Sequence, residues 1–180
     1  MEKKRFIVSI SIIILILAGI IFLTPAKRVL EIKNRKNPKQ FYYMNADKLE
    51  GFDISYTHSV NKGRVHDHYQ INKEKDLLLT STRFISYGAG IPEPGEMPGA
   101  HFEVLDNEYI IRDINRSVPK LTMAVGLIAN HSLTFYFLNR ENDKTIEYKL
   151  TDLFAPQTSI TFEIKRVSLI KYLTHQIRRF

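Results

Sequence analysis

The stretch DISYTHSVNKGRVHDHYQI, Asp53 to Ile71, gathers three histidines, two aspartates and two serines within 19 residues. An imidazole beside a carboxylate can hold or move a proton near neutral pH, and a hydroxyl beside such a pair can become a nucleophile. Whether these groups meet depends on how the segment pairs with itself. Phe52, Ile54, Tyr56 and Val60 alternate with Asp53, Ser55, Thr57 and Ser59, which predicts a strand with one apolar and one polar face, and His58 falls on the apolar one. In the returning strand Val65, Tyr69 and Ile71 share a face with Asp67, while His66, His68 and Gln70 share the other. Matching apolar face to apolar face by pairing Val60 with Val65 sets Tyr56 opposite Tyr69 and His58 opposite Asp67. Residues so placed have Cβ atoms ~4.5–5.5 Å apart, within reach of an imidazole-to-carboxylate hydrogen bond.

Two readings of the His58/Asp67 pair follow. As a structural pair it satisfies a buried carboxylate and pins the register of the hairpin. As a functional pair it opens into a pocket floored by the sheet and edged by the long loop YGAGIPEPGEMPGAH, Tyr87 to His101, where it would bind a ligand or move a proton. Backbone N–H groups around Gly88 and Gly90, ahead of Pro92, could cradle a small anion or a wall component with His58, although GAG without a following helix reads equally as a tight turn. A hydrolase needs a hydroxyl on the same face as the imidazole. Ser59 fails, because adjacent strand residues point to opposite faces, and no G-x-S-x-G elbow is present, which leaves only Ser86 near the loop. His66 and His68 could chelate a metal as an i, i+2 pair, but no third ligand stands nearby in the sequence. The expectation is a non-enzymatic protein with no cofactor and no metal.

The elements around the hairpin read as β-structure. From Phe41 onward apolar residues recur at period two in short runs. Strands are predicted over residues 52–60, 65–71, 77–85, 102–105, 109–114, 120–128, 132–138, 145–150 and 160–169. Turn-forming residues such as Asn61-Lys62-Gly63 and Asp106-Asn107-Glu108 separate them. About nine such runs predict an all-β fold, a single antiparallel β-sandwich or barrel-like domain over residues 41–180. The loop 87–101, with four glycines and three prolines, is the one long irregular connection. Leu169, Ile170, Leu173 and Ile177 fall at helical spacing, predicting a short terminal helix that docks on the body.

Ahead of this body, Met1-Glu2-Lys3-Lys4-Arg5 precedes an uncharged run of 18 residues, Phe6 to Leu23. As a helix it would be ~27 Å long, close to the ~30 Å hydrocarbon core of a bilayer. Residues 6–23 are therefore expected to form an uncleaved transmembrane signal anchor. The net charge of +7 is concentrated next to it: residues 27–39 carry six Lys/Arg and one acid, whereas residues 40–180 carry 17 of each sign. A neutral body gives no electrostatic footprint for nucleic acid. Residues 24–40 read instead as a basic juxtamembrane linker meeting anionic lipid head groups. Charge asymmetry about the span would turn the body inward, but a short basic start before a long apolar run is the usual export start, and large domains cross largely regardless of charge. The expected location is the cell membrane, single-pass, with the C-terminal domain extracytoplasmic. The absence of cysteine excludes disulfides, thiolate zinc sites and lipoprotein anchoring.

YTHSV at Tyr56 to Val60, the acid at Asp67 and FISYGAGIP at Phe84 to Pro92 resemble the signature of the bacterial family known as domain of unknown function 1850. RDINR at Arg112 to Arg116, AVG at Ala124 to Gly126 and HSL at His131 to Leu133 follow in similar order. The residues that carry the resemblance are Tyr56, His58, Ser59, Asp67, Gly88, Gly90 and Pro92, with Asp67 standing where the pattern more usually has Glu. The resemblance implies a small exported or anchored protein encoded beside TAXI-type TRAP solute transporters. On that footing the expected role is a membrane-anchored extracytoplasmic accessory protein contacting a TAXI-type binding protein or permease, and the alternative is a stand-alone module for a small anion or wall component using a His58/Asp67 pocket.

Overall fold

The structure, a computed structural model, describes residues 2–72, 76–87, 90–91, 93, 95–138 and 145–175, the side chains of Glu2 and Ile21 excepted. Helix α1, Glu2–Leu23, exposes apolar side chains along its length, among them Phe6, Leu15 and Leu23. Its uninterrupted stretch of described side chains, residues 3–20, includes Lys3, Lys4 and Arg5, and among the described residues no helix is long and apolar enough to cross a membrane. The span expected over residues 6–23 takes in Ile21, whose side chain lies outside the described residues.

The body is mostly antiparallel sheet. Strands β1 (Lys27–Asn34), β2 (Phe41–Asn45), β9 (Leu121–Ala124) and β12 (Ser159–Val167) form a four-stranded sheet in the order β2-β1-β12-β9. The larger sheet runs β11 (Ile146–Lys149), β10 (Ser132–Phe137), β3 (Leu49–Thr57), β4 (Arg64–Ile71), β5 (Leu77–Phe84), β7 (Glu108–Arg112) and β6 (His101–Leu105), with β8 (Arg116–Val118) also on β5. Period-two alternation turns one face of each sheet to a shared core. Leu30, Ile32, Ile160 and Phe162 from the smaller sheet meet Phe52, Ile54, Leu133 and Phe135 from the larger, and the Phe52 and Phe162 rings stack at 5.9 Å between centroids.

Among the described residues all nine expected strands occur, and three more join them. The segment 24–40, expected as a basic linker, contains β1, which holds the centre of the smaller sheet with Val29, Leu30 and Ile32 fully buried. The charge count misled because both faces of β1 are covered: Leu30 and Ile32 enter the core, while Val29 packs with Tyr43, Val167 and Tyr172 on the far side. The charges interleaved with them are paired, Arg28 with Asp47 at 3.0 Å and the buried Glu31 with Lys165 Nζ at 2.7 Å. The strand expected over 120–128 stops at Ala124, and Leu127 and Ile128 stand exposed in the loop that follows. A short helix α2 (Leu150–Leu153) buries its two leucines. Helix α3 (Leu169–His175) docks through Leu169 and Tyr172 on Val29, Tyr43 and Val167, whereas Ile170 and Leu173, expected on the docking face, are exposed; Ile177 lies outside the described residues.

Candidate functional site

The turn of the hairpin differs from expectation, and the difference rearranges the site. Strand β3 ends at Thr57, so Tyr56 lies opposite Val65, Ile54 opposite Asp67 and Phe52 opposite Tyr69. Faces are kept, but every partner moves by four residues relative to the pairing of His58 with Asp67. The six residues 58–63 form a closed turn instead: His58 N–H donates to the Gly63 carbonyl at 2.8 Å, and Lys62, in the left-handed region at φ 60°, donates to the His58 carbonyl at 3.1 Å. His58 Nδ1 accepts backbone N–H groups of Val60 and Asn61 at 3.3 and 3.5 Å. It caps its own loop and is not paired with Asp67. Ser59 and Val60 are exposed. Val60 was expected to continue the strand, yet the extended run ends where Thr57 N–H turns to the Ala129 carbonyl at 2.7 Å. No pattern within the hairpin encodes that contact.

Asp67 faces the core side as expected, with a different partner. Thr82 Oγ1 donates to its Oδ1 at 2.7 Å. Burial pushes its carboxyl above the ordinary range, against the Thr82 hydrogen bond and the Arg116 charge. Tyr56 shares this environment and is pushed up to about 12, by burial first and by the Asp67 charge second. A raised value means that folding is not penalised while Asp67 is protonated in both states, and stability is lost as pH rises through the folded value. Asp67→Asn, which keeps an acceptor for Thr82, is therefore expected to raise the melting temperature at pH 7–8, with the gain fading towards pH ~4. Melting curves across that range check this; a gain of equal size at every pH would contradict a buried, raised carboxyl.

The denser polar arrangement lies on the opposite face of the same hairpin, where Asp53 pairs with His68 and Ser55 with His66 in the observed register. Asp53 is only 4% exposed. Its Oδ1 meets His68 Nδ1 at 2.6 Å, its Oδ2 accepts the Tyr136 hydroxyl at 2.7 Å, and Arg83 stands 3.7 Å from Oδ2. Burial alone would raise this carboxyl; hydrogen bonds from His68 and Tyr136, with the charges of His68 and Arg83, outweigh it and hold Asp53 below the usual carboxylate range. The His68 ring leans across Gly51, where an added Cβ would come within 2.6 Å of the Tyr69 carbonyl oxygen and 3.0 Å of the ring itself. Only glycine admits that approach.

Beside this cluster Ser55 Oγ and His66 Nδ1 are 2.8 Å apart, and Arg64 crosses β3 to donate to Ser132 Oγ at 2.8 Å and to the Asn130 carbonyl at 2.6 Å. Serine, imidazole and carboxylate are thus all present but split over two rings: Ser55 touches His66, and Asp53 touches His68. One imidazole is not shared between nucleophile and acid, as a serine-hydrolase relay requires. Among the described residues, no group of three or more His, Cys, Asp or Glu is placed to hold a metal ion. Sequence alternation had put Asp53, Ser55, His66 and His68 on polar faces. Their meeting, and the arrival of Tyr136 from β10 and Arg83 from β5, required the register.

The described part of the loop 87–101 is a cover more than a rim. Ile91, Met97 and Ala100 pack against Val65, Phe84 and Ile111. Gly90 adopts φ +88°, a conformation suited to glycine, and is exposed; Gly88 and Pro92 lie outside the described residues. Four of the quoted motifs converge at one end of the body. Thr57 N–H reaches Ala129, Asn61 Nδ2 donates to the Ser86 carbonyl at 2.6 Å, Gly126 N–H donates to His131 Nδ1 at 3.0 Å, and the His131 ring lies 5.8 Å from that of Tyr56. The opposite end receives α1: Lys27 pairs with Val167 at one end of β12, whereas Ser159 at its other end pairs with Ala124. The remaining motif, RDINR, lies between β7 and β8, where Arg112 is paired with Glu103 and Asp113 with His101.

Residues 52–139 match the model of the family described as Domain of unknown function (DUF1850). The match runs from within β3 through β10, includes both polar clusters, and supports the resemblance drawn from the motifs. No curated protein and no solved structure matches the chain.

Proposed function

We propose, with the family match over residues 52–139 as the premise, that this chain is a single-pass membrane protein. In this reading α1 is its anchor, and a single extracytoplasmic β-sandwich is a non-catalytic accessory module of a TAXI-type TRAP solute transporter. The observation that carries the reading is the polarity of the body. The apolar helix enters at one end, and the motif-bearing loops stand at the other with Val60, Ile85, Leu127 and Ile128 exposed. A tethered module offers a partner the end farthest from its tether, and aliphatic side chains on loop tips bind protein better than they bind water. Two features favour the anchor. The run Phe6 to Leu23 holds no charge, and the hydroxyls of Ser9 and Ser11 are satisfied inside the helix by the carbonyls of Arg5 and Ile7 at 3.0 Å each, as a bilayer requires. The basic residues around β1 then lie near anionic lipid head groups.

The test is site-specific photo-crosslinking in cells that express the transporter cluster. Probes at Leu127 or Ile128 are expected to join the chain to the TAXI binding protein or permease, and a probe at exposed Lys120, outside the motif loops, is not. Adducts absent at both tips, in a chain that still resists carbonate extraction from membranes, would remove the accessory role and leave the anchor. Ready extraction would remove the anchor.

A further inference from the structure

We infer that the outward face of the larger sheet, across β3, β4 and β5, is a binding site for a small oxyanion, a carboxylate or a phosphate, seated over His66 between Arg64 and Arg83. The inference does not depend on the transporter reading.

The geometry begins with the register. His66 lies directly opposite Arg83 on β5 and opposite Ser55 on β3, and Arg64 is two residues before it on the same strand and face. Arg64 and Arg83 are therefore diagonal neighbours, with Cα atoms ~7–8 Å apart, within range of converging on one ligand of a few atoms. Arg64 is fixed by its bonds to Ser132 and Asn130, which hold its guanidinium over β3. Arg83 is the freer partner: its side chain is 45% exposed, and its ion pair with Asp53 is 3.7 Å long, beyond hydrogen-bond range. Asp53 is itself occupied by His68 and Tyr136, so the fork of Arg83 keeps donors to spare. Paired donors in a planar fork match the oxygens of carboxylate and phosphate.

His66 completes the seat. Its Nδ1 faces Ser55, and when Ser55 donates to that nitrogen, Nε2 carries the proton and presents a third donor to the ligand. The acids that influence this face are Asp53, Glu108 and Glu147. Burial first, and after it the charges of Arg83 and Arg64 against those of Asp53 and Glu108, hold the His66 imidazole below its ordinary range.

The experiment uses the full chain in detergent with isotope-labelled histidine, titrated separately with inorganic phosphate and with succinate at constant chloride. A saturable shift of the His66 ring resonance is expected with at least one titrant, half complete by ~1 mM. Arg83→Gln, which removes an exposed side chain, should weaken it by at least ~10-fold, and Arg83→Lys should restore it only in part. Lys120→Gln, in a turn away from this face, should leave it unchanged. Response to one titrant alone assigns the site to phosphate or to carboxylate. Absence of a saturable shift with both up to ~10 mM overturns the proposal. So does a shift of equal size in the Arg83→Gln chain, since it would report ionic strength and not a seat.

Discussion

Alanine in place of Asp53 is expected to lower the free energy of unfolding by about 1–3 kcal/mol at neutral pH, the usual cost of leaving hydrogen-bonding partners without their acceptor. The side chain is 6% exposed and engages three partners from three other strands, His68 on β4, Tyr136 on β10 and Arg83 on β5. Removing it leaves a half-buried phenol and a half-buried imidazole without their acceptor. The loss should depend on pH in one direction. Because the folded carboxyl is held below its unfolded value, its contribution is present above the ordinary carboxylate range, near pH ~4, and disappears as pH falls through the folded value. Denaturant unfolding of the two chains at pH 7 should therefore differ most, and the difference should shrink as the pH falls below the ordinary carboxylate range. A difference under ~1 kcal/mol at pH 7, or one that persists unchanged in acid, would show that the cluster does not hold the face together.

Leu30→Ala is expected to cost about 2–5 kcal/mol, the range for a leucine removed from a packed core. Leu30 is fully buried in the cluster shared by the two sheets, and its strand lies between β2 and β12. Lys36→Ala, at an exposed position in the turn between β1 and β2, should change stability by less than ~0.5 kcal/mol. The same reasoning extends to a truncation. A chain that starts at Phe41 lacks β1, uncovers Phe162 and Ile160, and strips β2 and β12 of their shared partner, so it should fail to give a cooperative melting transition. Equal stabilities for the two alanine chains, or cooperative unfolding of the truncated one, would return residues 24–40 to the status of a linker.

The location of nine strands was legible because alternation is a local property: a half-buried strand writes its two faces into consecutive residues. The same rule explains the failure at β1. Its two faces are both covered, so Val29, Leu30 and Ile32 do not alternate cleanly, and the lysines and arginines around them dominated the composition. Where strands end was not legible either. The predicted run through Val60 was cut at Thr57 by Ala129, a residue more than seventy positions away. With the hairpin in this register, His58 falls in the turn and the pair it was expected to form does not exist.

The amino-acid order by itself determined an apolar N-terminal helix, an antiparallel body, which residues share a face in the nine expected strands, and the resemblance carried by the loop motifs, since each depends on neighbours within a few residues. Which strand neighbours which, and by what offset, was decided only in three dimensions. Pairings related by an even shift bury the same apolar set, and local patterning cannot choose among them. Packing between the two sheets made the choice, and with it separated His58 from Asp67 and brought Asp53, His68, Tyr136 and Arg83 together.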